Sequence, residues 1–147
     1  MRAHGENRRY LPGAGFPAKL TAQTRLEDCL EGVDIVLVAV PSHGLRETLT
    51  LLKPLLGTNV RVCWATKGFE LASGRLPHQV AADVLGDKRP TAVLSGPTFA
   101  KEVGAGLPTA MTIAASNEQF AADLASALSG NNFRAYTSAD MVGVEVG

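Results

Sequence analysis

Three short segments carry the residues whose types and spacing can do chemistry: Val38-Ala39-Val40-Pro41-Ser42, Ala65-Thr66-Lys67-Gly68 and Leu94-Ser95-Gly96-Pro97-Thr98-Phe99-Ala100-Lys101-Glu102. Each falls where a run of β-forming residues stops, and an open parallel sheet holds its ligands in the crevice beyond the carboxyl ends of its strands. Lys67 is a compact cation with three donors, suited to a phosphorylated carbonyl compound or a nicotinamide cofactor. Gly68 permits the positive φ that turns the chain away while the lysine stays at the sheet rim. Ser95, Gly96 and Thr98 form a cup of hydroxyls and free amides for polar ligand oxygens, in which Gly96 allows ligand and backbone to approach closely. Thr98 is expected to cap a helix through Phe99, Ala100 and Val103. Pro41 ends the sheet pairing, and Ser42 is expected as the N-cap of the next helix, whose first amides favour a phosphate or pyrophosphate. Taken singly, the first two segments fit an ordinary turn or solvated loop as well as a binding site, and His43 and the pair Lys101-Glu102 read as solvated first-turn residues. Glu70 and Glu145 have no partner identifiable from spacing and receive no acid or base role.

The elements that must hold these segments follow from two alternating periodicities. Val33–Val40, Val60–Ala65, Thr91–Leu94, Thr109–Ala114 and Phe133–Thr137 read as strands, with a weaker one over Leu20–Gln23. The first and third are nearly continuous in apolar residues, as when helices cover both faces of a parallel sheet. Leu45, Leu49, Leu52 and Leu56 put one apolar stripe on a helix from about Ser42 to Leu56, loosened near its end by Pro54. Phe120, Leu124 and Leu128 mark a second helix, with Asn117 expected at its N-terminus and Gly130 as the left-handed residue closing it. Leu11–Pro17 reads as a structured loop. The pattern predicts an α/β fold: a doubly wound, mostly parallel sheet with helices on both faces.

Composition narrows the function classes. The 147 residues suffice for one domain with a real core, and 46% hydrophobic with 19% charged residues fits a soluble globular class. The apolar run Ile35–Val40 is far short of the ~20 residues that span a bilayer, so no membrane partner is expected. Fourteen basic and fourteen acidic side chains cancel, leaving no global field that favours nucleic acid. Cys29 and Cys63 have neither CxxC spacing nor a histidine set at ligand distance, so they read as reduced, partly buried thiols and no metal site is expected. The N-terminal stretch Met1–Tyr10 is basic but lacks the apolar region of a secretory signal, which gives a cytoplasmic expectation.

Taken in order, the segments resemble the nucleotide-binding half of the bacterial-type NAD(P)-dependent glycerol-3-phosphate dehydrogenases. The resemblance rests on Arg9-Tyr10-Leu11-Pro12-Gly13 with Phe16-Pro17, the three strand ends above, Gly106-Leu107-Pro108-Thr109-Ala110, and Tyr136-Thr137-Ser138-Ala139-Asp140-Met141-Val142-Gly143-Val144-Glu145-Val146-Gly147. It implies a Rossmann-like fold and hydride transfer between NAD or NADP and the dihydroxyacetone phosphate/glycerol 3-phosphate pair, a step toward glycerophospholipids. By motif it implies that Lys67 contacts both cofactor and substrate, that Gly96 and Thr98 contact substrate, and that Ala100 contacts cofactor. Pro41 and Ser42, at the first strand end, join the cofactor set.

The departures are as informative. No GxGxxG or related glycine-rich turn following a strand precedes Arg9. The family's general-acid lysine is expected beyond Gly147, so no catalytic residue is assigned within the chain. Residues 1–147 are therefore expected to form an incomplete Rossmann-like domain, without the first strand–glycine turn–helix unit and without the helical substrate domain. Such a chain is expected to be inactive alone and prone to homo-oligomerise. The alternatives are a related two-domain dehydrogenase and a non-catalytic nucleotide-binding or interaction module.

Overall fold

The structure, a computed structural model, describes residues 5–147; the first four residues of the basic N-terminal stretch lie outside the described residues. The chain opens with an antiparallel hairpin of β1 (Glu6–Asn7) and β2 (Leu11–Gly15). Leu11–Gly15, expected as loop, is thus paired strand. Gly5 and Gly13 take positive φ of 59° and 84°, which the sharp reversal requires, and the Glu6 carboxylate accepts the Gly13 amide at 3.2 Å. Leu20–Gln23 joins neither sheet. Its two apolar side chains offer too little to fix a register.

The remaining elements alternate as the periodicity predicts: α1 (Leu26–Leu30), β3 (Ile35–Val38), α2 (Ser42–Leu52), β4 (Arg61–Trp64), α3 (Pro77–Leu85), β5 (Thr91–Ser95), α4 (Ala100–Gly104), β6 (Thr109–Ala115), α5 (Glu118–Leu128), β7 (Phe133–Ser138) and α6 (Met141–Val146). The last five strands form one sheet in sequential order, with β3/β4, β4/β5 and β6/β7 parallel and β5/β6 antiparallel. The α/β, mostly parallel expectation holds.

Strand alternation explains the two cores. On β4, Val62 and Trp64 face one side and Cys63 the other; on β5, Val93 opposes Ala92 and Leu94. The first side packs under Leu45, Leu49 and Leu52 of α2 and Val80, Ala81 and Val84 of α3, with Met141 and Val144 of α6 alongside. The second side packs under Phe120, Ala121 and Leu124 of α5. Cys63 is buried, and burial pushes its thiol up to about 12, whereas Cys29 is exposed rather than partly buried.

Several helix ends depart from expectation. Pro41, not Ser42, is the N-cap of α2, and Ser42 is the first helical residue. The helix stops at Leu52 and tightens into a 3-10 turn over Lys53–Leu55, where Pro54 cannot donate to the α-ladder. Asn117 does cap α5, its side-chain oxygen accepting the Phe120 amide at 2.8 Å. The other end of α5 needs no left-handed glycine. Ser129 leaves the helix in an extended conformation with φ −72°, and the Gly130 amide donates to Phe133 O at 2.9 Å.

Candidate functional site at the strand ends

Because β3, β4 and β5 are parallel, their carboxyl ends lie on one edge of the sheet, and the three segments come together there. The loops are tied across that edge. The hydroxyl of Thr66, a residue only 4% exposed, donates to Val40 O at 2.7 Å and joins the β4 end to the β3 end. The Lys67 ammonium donates to Gly96 O at 3.0 Å and joins β4 to β5. The same carbonyl accepts from the Thr98 amide at 2.8 Å and, weakly, from the Thr98 hydroxyl at 3.5 Å. Gly68 carries a φ of +85°, as the lysine's position at the turn requires.

The structure adds one demand on the cup and corrects one expectation about it. Gly96 is needed by its neighbour strand: a Cβ there would lie 2.9 Å from Ala110 O and 3.1 Å from Met111 Cα, both on β6. Thr98 does not cap α4. Phe99 is the N-cap and the Thr98 hydroxyl turns back to Gly96 O, because the chain between them makes a tight reversal. Ala100 begins α4 and is exposed with the rest of that helix, whose Gly104 lets Leu11 and Ala14 of the hairpin approach closely. Pro41 and Lys67 are exposed and Ser42, Gly96 and Thr98 half-buried, so the arrangement is an open crevice. A 480 Å³ concavity lined by Ser116, Glu118 and Thr137 sits at the opposite end of the sheet, where the reversed β6 terminates, and is not part of this site.

The carboxylates that spacing left unassigned both have structural partners. Glu70, in the loop three residues past Lys67, receives two hydrogen bonds from Arg46 of α2, at 2.7 and 2.9 Å. These, with a bond from the Ser73 hydroxyl, hold its pKa near about 2 and raise that of Arg46. Glu145 is 7% exposed; its Oε1 accepts from Trp64 Nε1 at 3.1 Å and His78 N at 2.8 Å, and its Oε2 lies 2.5 Å from His78 Nδ1. A buried indole N–H usually finds an acceptor, and Trp64 in a strand interior was the one sequence signal for such a group. Arg46 and Glu70 lie 24 positions apart and gave none.

An open, mostly parallel sheet with helices on both faces and cationic and hydroxyl donors at its carboxyl edge defines a Rossmann-like nucleotide-binding domain. Residues 1–121 match the family described as NAD-dependent glycerol-3-phosphate dehydrogenase N-terminus, and the chain belongs to that family. It is 51% identical over 146 residues to a glycerol-3-phosphate dehydrogenase [NAD(P)+] of Xanthomonas campestris, with 99% of this chain and 42% of the relative covered. It is also 51% identical over 142 residues to the enzyme of that name from Stenotrophomonas maltophilia, covering 97% and 42%. The crystal structure of glycerol-3-phosphate dehydrogenase from Coxiella burnetii superposes with a TM-score of 0.93 at 48% identity, covering 99% of this chain and 44% of that one. The chain thus spans about 42% of the length of the curated relatives it matches.

Proposed function

We propose that residues 1–147 supply part of the cofactor-binding half of a glycerol-3-phosphate dehydrogenase, cytoplasmic and serving glycerophospholipid synthesis. The substrate pair is dihydroxyacetone phosphate and glycerol 3-phosphate, and the cofactor, NAD or NADP, supplies or accepts the hydride. The observation that carries this reading is the convergence of Lys67, Gly96 and Thr98 through one carbonyl. Lys67 exchanges its bond to Gly96 O for one to a ligand oxygen and so bridges substrate and cofactor. Gly96 and Thr98 contact substrate; Ala100, with Pro41 and Ser42 at the start of α2, contacts cofactor. The donor set fits such a group, since a lysine ammonium, a threonine hydroxyl and the first amides of an eleven-residue helix all favour anionic oxygens.

The test separates binding from turnover. The 147-residue chain, titrated with dihydroxyacetone phosphate and NADH or NADPH under NMR observation, should shift the amides of Gly68, Gly96 and Thr98. Lys67→Met should weaken that binding about tenfold. No reduction of dihydroxyacetone phosphate above buffer is expected, because no residue of this sequence matches the family's glycine-rich turn or its general-acid lysine. Shifts confined to residues away from the three strand ends would overturn the site; turnover by the chain alone would overturn the division of labour. Binding of NADH without any effect of dihydroxyacetone phosphate would instead favour a non-catalytic nucleotide-binding module.

A further inference from the structure

Lys67 has a flexible four-carbon stem, and the residues that follow it do not pack tightly enough to aim it. A Cβ built on Gly68 would meet nothing within 4 Å, Phe69 is 51% exposed and Leu71 is 89% exposed, so apolar burial does not anchor this loop. What holds it is Glu70. Its amide donates to Arg75 O at 2.9 Å, and its carbonyl accepts from the Gly74 amide at 2.8 Å, a turn closed by Gly74 at φ +69°. Its carboxylate takes the Arg46 fork and the Ser73 hydroxyl. Arg46 also reaches Asp83 of α3 at 3.2 Å, and the other oxygen of Asp83 takes Arg75 at 2.6 Å. The result is a series of alternating charges, Glu70–Arg46–Asp83–Arg75, that binds both ends of the turn to α2 and α3.

We propose that Glu70, clamped by Arg46, is a positioning residue for Lys67. The Thr66 hydroxyl fixes the loop where it leaves β4, the Glu70–Arg46 pair fixes it three residues after Lys67, and between them the ammonium is kept over Gly96 O. A bidentate guanidinium–carboxylate pair suits this task because it fixes orientation as well as distance. The inference rests on the reading of Lys67 as the ligand-binding cation, but its test does not depend on that reading.

The experiment is limited acetylation of the full 147-residue chain, read by peptide mass spectrometry as the ratio of modification at Lys67 to that at the exposed Lys88. In Glu70→Gln and in Arg46→Met the ratio should rise about threefold or more, the size of one lost hydrogen bond. Arg46→Lys, which keeps charge without the fork, should fall between these and the unmodified sequence. Labelling is run well below each variant's melting temperature, where the globally unfolded fraction is too small to contribute, so a raised ratio reports the Lys67 loop. Should Glu70→Gln fail to fold, Arg46→Lys and Ser73→Ala carry the same comparison. An unchanged ratio in the folded variants overturns the proposal. Adding dihydroxyacetone phosphate to the unmodified sequence separates the two readings. Raised ratios in the variants with no protection of Lys67 by the phosphate keep the clamp and remove the ligand. Protection with unchanged variant ratios removes the clamp alone.

Discussion

Glu70 and Glu145 show how the same side chain behaves at two depths. The Glu70 carboxyl, held near about 2 first by Arg46 and then by Ser73, is depressed in the folded state. Its contribution to stability is therefore complete above the ordinary carboxylate range and is lost as pH falls through that range toward about 2. The melting temperature of Glu70→Gln should accordingly fall less between pH 5 and pH 2 than that of the unmodified chain, by thermal melts at matched ionic strength; parallel curves would refute the linkage. The pair is partly buried and its Arg46 end reaches solvent, so the difference is modest and shrinks with salt. Glu145 differs because its side chain is fully buried against Trp64 and His78. Glu145→Ala leaves the Trp64 indole, itself 0% exposed, without an acceptor and should cost about 3 kcal/mol, lowering the melting temperature by about 6–12 °C. A loss comparable to an ordinary surface substitution in calorimetry would show that water replaces the carboxylate. The place of Lys67 and Gly68 at the carboxyl end of β4 was legible from the strand pattern, whereas a ligand-binding role for Lys67 came from the resemblance and not from the segment alone. Glu70 and Glu145 were not, since their partners lie 24 and 67 or 81 positions away and only the packing of helices on the sheet brings them near.

At the scale of elements, the apolar periods located β3 through β7 and the stripes of α2 and α5, because a strand buried on both faces and a helix buried on one face leave different spacings of Leu, Val and Ala. The misreadings fall where backbone conformation outweighs side-chain pattern. Leu11–Gly15 has the proline and glycine content of a loop, yet it forms a strand because Gly5 and Gly13 permit the bend that brings Glu6 and Asn7 alongside. The C-terminus of α5 was assigned to a left-handed Gly130, whereas the Ser129 hydroxyl accepts the Ala135 amide at 3.2 Å and stabilises an extended exit. The turn at Ser95–Thr98 falls at the end of β5 as the pattern placed it, but a second demand on its glycine was not legible, because the approach of β6 to Gly96 depends on a reversed strand that no local pattern announces. The cap of α5 was legible, and it has a measurable weight. Asn117→Ala removes the acceptor of the Phe120 amide and should destabilise the chain by about 1 kcal/mol, whereas Asn117→Asp should cost little. Urea unfolding checks this, with equal losses in both variants counting against a capping role.

At the scale of the molecule, the sheet is protected unevenly. β7 closes one side, while β3 closes the other and carries Ile35-Val36-Leu37-Val38 with no charge or proline among them. Asp34 O and Val38 O accept from the amides of Arg61 at the start of β4 and Ala65 just past its end, so by alternation the backbone groups of Ile35 and Leu37 face outward. The Leu37 side chain is 51% exposed on the face that α5 covers only farther along the sheet. An apolar edge with its hydrogen-bonding groups turned out is a template for strand addition, and charge on such an edge is the usual means of blocking it. The 147-residue chain is therefore expected to self-associate in proportion to concentration. Leu37→Lys should shift it toward the monomer without unfolding it, because that side chain already reaches solvent and the buried Val38 is untouched. Light scattering coupled to gel filtration, run over a concentration series on both proteins, decides the matter. A monomer at every concentration, or an assembly indifferent to the lysine, would mean that the β3 edge is not the surface through which copies meet.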